Sequence, residues 1–411
     1  MTPPSILVRR KLITSGRPLP MQSISASASR EINIRPKPRL DYLDSIRALA
    51  ALGVAYLHSS LTLAALAHGP EARAVQLLTH FVDTGKIGVI AFFLVSGFVI
   101  PMSLKSGPTS KAHSVRDFVI GRFFRLYPAY WLSMALAFIL LFHWSLAECS
   151  LKRLLLNVTM FQGFFGGVSI NMIGLYWTLQ IEWMFYILCI LLFLTGWISK
   201  PKNILIAYSV FLFSACALAG LRYATHRAYP VAAPLGLSVM LLGTLWRMER
   251  IDGLMEARRH VRIALSAFIL VIPFISLLAY NFNEGFDETW YRYTLCYWIA
   301  IGSFFLLTTR LRITWKPLVL VGRASFSLYL FSDFVRLGME RLIPYQRIAN
   351  ISLHLWLSIE MIVSCAVSFL IYTYLESPCL SLGKQLIRWL RRPIPAAPKS
   401  SVEFAFEPVN D

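Results

Sequence analysis

Apolar positions along this chain gather into long uninterrupted runs separated by short polar, basic stretches. About ten runs stand out, at roughly 43–66, 87–104, 126–143, 175–195, 203–220, 231–246, 261–280, 293–309, 317–336 and 354–375. At ~1.5 Å per residue the longer ones cross a ~30 Å hydrocarbon core as helices. They predict an all-α polytopic membrane protein with about ten transmembrane helices. Continuous runs, as opposed to short alternating strands, argue against a β-barrel. The second run is short and holds Gly88, Gly97 and Pro101, which predicts a kinked or broken helix. The sixth is short as well and begins near Pro230 and Pro234.

Composition agrees: 56% of the 411 residues are hydrophobic and only 15% are charged, which sets the chain apart from soluble domains. The net charge of +19 has a topological explanation. Lysine and arginine crowd into 9–39, 105–125, 200–202, 247–262, 310–316 and 384–399, whereas the intervening loops are poorer and one is acidic, with Glu284, Asp287 and Glu288. Every second loop is basic. The positive-inside bias then puts both termini in the cytoplasm and the chain in the cell (inner) membrane. Residues 1–39 read as a disordered basic cytoplasmic arm without the apolar core of a cleaved signal, 40–380 as the transmembrane domain, and 381–411 as a cytoplasmic tail. The six cysteines are scattered and show no metal-ligand spacing among themselves or with histidines, so they read as small packing residues with no metal site. GxxxxGK[ST] and GxSxG are absent, which disfavours an ATP-driven pump or an ordinary serine hydrolase.

Candidate chemistry lies in the ionisable residues that interrupt the early runs. Arg47 and His58 sit in the first run, eleven residues apart. At ~100° per residue they share a helix face, ~16 Å apart along the axis. A charge mid-membrane costs about 2.5–3.5 kcal/mol even on the lenient insertion scale, so such residues face a protein interior or a wet cavity. Glu182 lies in a helix entering from the outside, ~10 Å below that boundary, and His58 comes out at a similar depth. Arg122 and Arg125 stand three apart at the cytoplasmic mouth of the third run, on one helical face, and forked guanidinium donors suit phosphate oxygens. Each has a structural alternative. The arginine pair would anchor the helix to head groups. Glu182 would lock helices together. Asp44 would be an intrahelical partner of Arg47, and His58 a satisfied core histidine.

Several segments, in order, resemble the acyltransferase-3 family of integral membrane O-acyltransferases. LDYLDSIRALAALGVAYLHS is similar to its opening motif, with ten residues between Arg47 and His58. GVIAFFLVSGFVI matches FFxxSG through Ser96 and Gly97, and RFFRLYPAYW matches RxxR followed by Tyr-Pro. LYWTLQIEWMFYIL matches W(S/T)LxxE through Trp177, Thr178 and Glu182. GRASFSLYLF and YLESP resemble late-span elements, through Tyr329, Glu376 and Pro378. Ser332 stands where the family commonly has histidine, with Asp333 beside it; Ser45 and Ala48 replace frequent glycines.

The resemblance implies transfer of an acyl group, most often acetyl, from cytoplasmic acyl-CoA to a carbohydrate hydroxyl of a surface polysaccharide, lipopolysaccharide or lipid-linked glycan. Acyl-CoA is then a co-substrate, no cofactor is bound, and nucleic acid is not a partner. His58 would be the base, Glu182 its orienting acid, and Arg47, Arg122 and Arg125 the donor-binding cations. Tyr176, Trp177 and Trp183 would offer faces for sugar rings or form an interfacial belt. The rival reading is a transporter or flippase of a polar or lipid-linked solute, with His58 and Glu182 as a proton relay.

Overall fold

The computed structural model describes residues 40–392, apart from 68, 105–109, 146, 148, 163–170, 281–288 and 346–350. The expected N-terminal arm, the tail beyond 392 and the acidic loop around Glu284 lie outside the described residues. Among the described residues every regular element is helical. The first five helices are α1 (Asp41–Leu66), α2 (Pro70–Phe81), α3 (Thr84–Val99), α4 (Lys111–Leu140) and α5 (Leu151–Val158). Next come α6 (Tyr176–Leu194), α7 (Pro201–Thr225), α8 (Ala232–Arg250), α9 (Met255–Tyr280) and α10 (Trp290–Thr309). The chain continues through α11 (Lys316–Arg323), α12 (Ser325–Leu342), α13 (Leu353–Ile371), a π-helical turn at Tyr372–Glu376 and α14 (Ser377–Leu390).

All ten apolar runs fall on helices, but fewer than ten helices qualify as spans. Among the described residues seven are long and apolar enough to cross a membrane, and α11 with α12, bent by 76°, makes an eighth if counted as one. The runs at 231–246 and 293–309 became α8 and α10, which stay below that standard. α8 is buried continuously from Pro234 to Met248, so protein rather than lipid surrounds it. α10 opens with Trp290, Tyr291, Arg292 and Tyr293, a turn too polar for hydrocarbon. The second run is continuous as a span from 84 to 103 and tightens at its end, where α3 gives way to a 3-10 turn at Ile100–Ser103 and Pro101 has no N–H to offer.

Close helix approach organises the centre. α8 packs on α3, α7 and α9, and α1 packs on α3, α11 and α12. Gly97 is the α3–α8 crossing point, since a Cβ there would lie 1.8 Å from the Met240 carbonyl oxygen. Thr244 donates a hydrogen bond of 2.8 Å to the Gly97 carbonyl across the same contact. Such small-residue contacts let helix backbones touch where lipid provides no hydrophobic drive. Gly97→Leu is therefore expected to cost about 1–3 kcal/mol or more through overpacking, read as a lowered melting temperature in detergent. Unchanged melting would mean the helices separate freely.

α1 and α13 run antiparallel. Leu63 and Ala64 pack against Leu353, Trp356 and Leu357, with Met339 of α12 on the same cluster. Glu71 of α2 closes the Leu66 end of this pair. It accepts 3.0 Å bonds from the Ser352 hydroxyl and a 2.8 Å bond from the Leu353 N–H. Those bonds, Ser352 foremost, hold the Glu71 carboxyl below its ordinary value. The link is complete at neutral pH and is lost as the pH falls through that lowered value.

Candidate active site

Five helices contribute to one cavity of about 760 Å³, counted out to its open mouth. Its polar lining comes from Arg47 of α1, Ser96 of α3, Arg122 and Arg125 of α4, Thr178, Glu182 and Tyr186 of α6 and Tyr329 of α12. The three-residue spacing on α4 puts both guanidiniums on one face, and Pro128, which lacks an N–H, leaves the Phe124 carbonyl beside them without its helical donor.

Each charge in the cavity is held differently. Arg122 donates to the Ser103 hydroxyl at 2.8 Å, and its guanidinium lies 5.2 Å from the Phe118 ring centre and 5.3 Å from that of Tyr186. Arg125 lies 3.7 Å from the Glu376 carboxylate, and its buried Nη2 has no hydrogen-bond partner among the described residues. Glu376 is 1% exposed and also accepts a hydrogen bond from Ser327. It arrives there at the end of the π-helical turn, a local rewinding that often marks functional positions. Glu182 accepts a 2.6 Å bond from the Tyr186 hydroxyl. Asp44, Glu182 and Glu376 all act electrostatically on Arg47, and so does Arg125 with the opposite sign. Tyr329 places its hydroxyl 2.7 Å from that of Thr178 and 3.2 Å from the Leu175 carbonyl oxygen.

The other expected site residues lie elsewhere. Gly97 is the helix crossing described above. Trp177 is half-buried against the core. Ser332 is buried, and its hydroxyl has no hydrogen-bond partner among the described residues. His58 is half-buried towards the Leu66 end of α1 and does not line the cavity. Its ring makes no hydrogen bond among the described residues, while its backbone carbonyl accepts one of 3.0 Å from Thr62.

The structure thus gathers Arg47, Arg122, Arg125 and Glu182, but it does not bring Glu182 to His58. The depth estimate placed Leu175 at the membrane boundary. In the fold α6 starts inside the bundle: Leu175 meets Tyr329, and Tyr176 is 0% exposed with its hydroxyl 2.9 Å from that of Ser133. Glu182 lines the same cavity as the arginines. Tyr176, being buried, offers no face to a sugar, and the Trp183 indole N–H is engaged by the Met160 sulfur at 3.2 Å.

Two buried acids were not among the expected catalytic residues. Glu376 was visible only as part of the YLESP match. Glu360, 1% exposed on α13, interrupts an apolar run just as Arg47 and His58 do, so the same signal could have found it.

A family model described as an acyltransferase domain matches residues 40–373, which include the cavity residues and His58. The chain belongs to the acyltransferase-3 family. Together with the apolar helices, membership of this family makes it a multi-pass membrane protein. Its relatives include the O-acetyltransferase OatA of Staphylococcus aureus strains MRSA252, NCTC 8325 and COL, each 24% identical over 395 residues. The match covers 88% of this chain and 60% of each relative's length. No solved structure matches the chain.

Proposed function

We propose that this acyltransferase-3 member moves an acetyl group from cytoplasmic acetyl-CoA to a hydroxyl of a carbohydrate on the far side of the cell membrane. The observation that carries the reading is the meeting of Arg47, Arg122 and Arg125 in one cavity. Forked guanidinium donors match the pyrophosphate and ribose phosphate of a CoA donor better than ammonium groups do. Acetyl is favoured because the OatA relatives are named O-acetyltransferases. The sugar acceptor and the cytoplasmic termini follow from the family resemblance and from the alternating basic loops.

With its phosphates on the arginines, the donor's pantetheine arm runs along α1 for roughly the ~16 Å that separates Arg47 from His58. Glu182, between the arginines and Tyr186, lines that path. His58 takes the proton of the acceptor hydroxyl. The oxygen then attacks the thioester carbonyl, the C–S bond breaks, and the CoA thiolate leaves to be reprotonated.

Sidedness tests this scheme. Inside-out vesicles with glycan acceptor in the lumen and acetyl-CoA outside should accumulate acetylated product in the lumen, with one CoA thiol released outside per acetyl transferred. Product formed only when the acceptor shares the CoA side of sealed vesicles would refute transfer across the membrane. A flippase would move acceptor without releasing CoA.

A further inference from the structure

We infer that the acid serving His58 is Glu360 of α13, acting as a positioning residue; the inference rests on reading His58 as the base. Glu360 lies in the half of the bundle that holds His58. The α1–α13 register sets it opposite Ser59, the residue after His58, and the Ser59 hydroxyl donates to Glu360 Oε1. Both partners are sealed from solvent, Ser59 at 3% and Glu360 at 1% exposure. From α12, the charged side chains Arg336, Asp333 and Glu340 act on Glu360. Arg336 is itself 3.6 Å from Asp333.

The level of this cluster follows from contacts already described. Arg47 and Tyr329 line the same cavity, and further along their helices Leu63 and Met339 join the same apolar cluster. α1 and α12 therefore rise side by side, which carries His58, Asp333 and Arg336 away from the cavity together. Glu182 stays behind with the arginines and Tyr186.

A buried carboxylate in a membrane bundle is costly, and a role that repays the cost is expected. Glu360 has two means of acting on His58. Its bond to Ser59 fixes the rotation of α1 at the next residue. Its carboxyl group, in surroundings of low dielectric, stabilises the imidazolium that forms as His58 takes the hydroxyl proton. Glu360 exchanges no proton in this scheme: the proton passes from the acceptor to the imidazole and from the imidazolium to the CoA thiolate.

The experiment is steady-state acetyl transfer by purified, detergent-solubilised full chain with acetyl-CoA as the varied substrate. Glu360→Gln should lower kcat about tenfold or more, a part of the ~10²–10⁴-fold available to a general base, with the donor KM within twofold of the parent. In a His58→Ala background Glu360→Gln should cost nothing further, a non-additivity that a purely structural role does not produce. Unchanged kcat in Glu360→Gln, a raised donor KM, or full additivity with His58→Ala each overturns the inference. Should Glu360→Gln fail to fold, Ser59→Ala takes its place with the same expected kcat loss and the same overturning results. The two readings separate cleanly: normal turnover by His58→Ala defeats the base assignment, whereas an inactive His58→Ala beside a normal Glu360→Gln defeats only Glu360.

Discussion

His58→Ala is expected to lower the rate of acetyl transfer by about 10²-fold or more, the usual contribution of a general base, while the protein inserts and purifies normally. The structure explains why folding survives. The His58 ring is half-buried and makes no hydrogen bond among the described residues, so its removal orphans no partner there. Alanine is also more welcome than histidine in an apolar helix. The measurement is the initial rate of CoA thiol release in the presence of acceptor, normalised to monodisperse protein. Near-normal turnover would make His58 a packing residue.

Arg125→Lys and Arg122→Lys should each raise the donor KM roughly tenfold or more, since a hydrogen bond to a charged group contributes ~1.5–3 kcal/mol and lysine loses the fork. The two losses differ in kind. At Arg125 the variant gives up the forked guanidinium and weakens the pairing with Glu376. At Arg122 it gives up the Ser103 bond and the place beside the Phe118 and Tyr186 rings, which orient the guanidinium before any donor arrives. Titrating acetyl-CoA against both variants checks this. Normal donor binding by both would leave the pair as an anchor to lipid head groups.

Local composition already carried the membrane class, the helical content and the Arg122–Arg125 face, because a long apolar run and a three-residue helical spacing need no tertiary context. It also singled out Arg47 and His58, because the cost of an ionisable group in hydrocarbon is a property of the run itself. What it could not carry was which charges meet. The fold buried Glu376 through a π-helical turn, a register change that no periodicity announces. It set Glu182 in one cavity with the three arginines and not beside His58. It enclosed α8 in protein, which removed the lipid contact that the hydropathy of 231–246 seemed to demand. And it set Glu360 against Ser59 across 301 residues of chain. Span and charge are written residue by residue; partnership depends on helix register and crossing, which glycine contacts such as Gly97 on Met240 decide only when the helices pack.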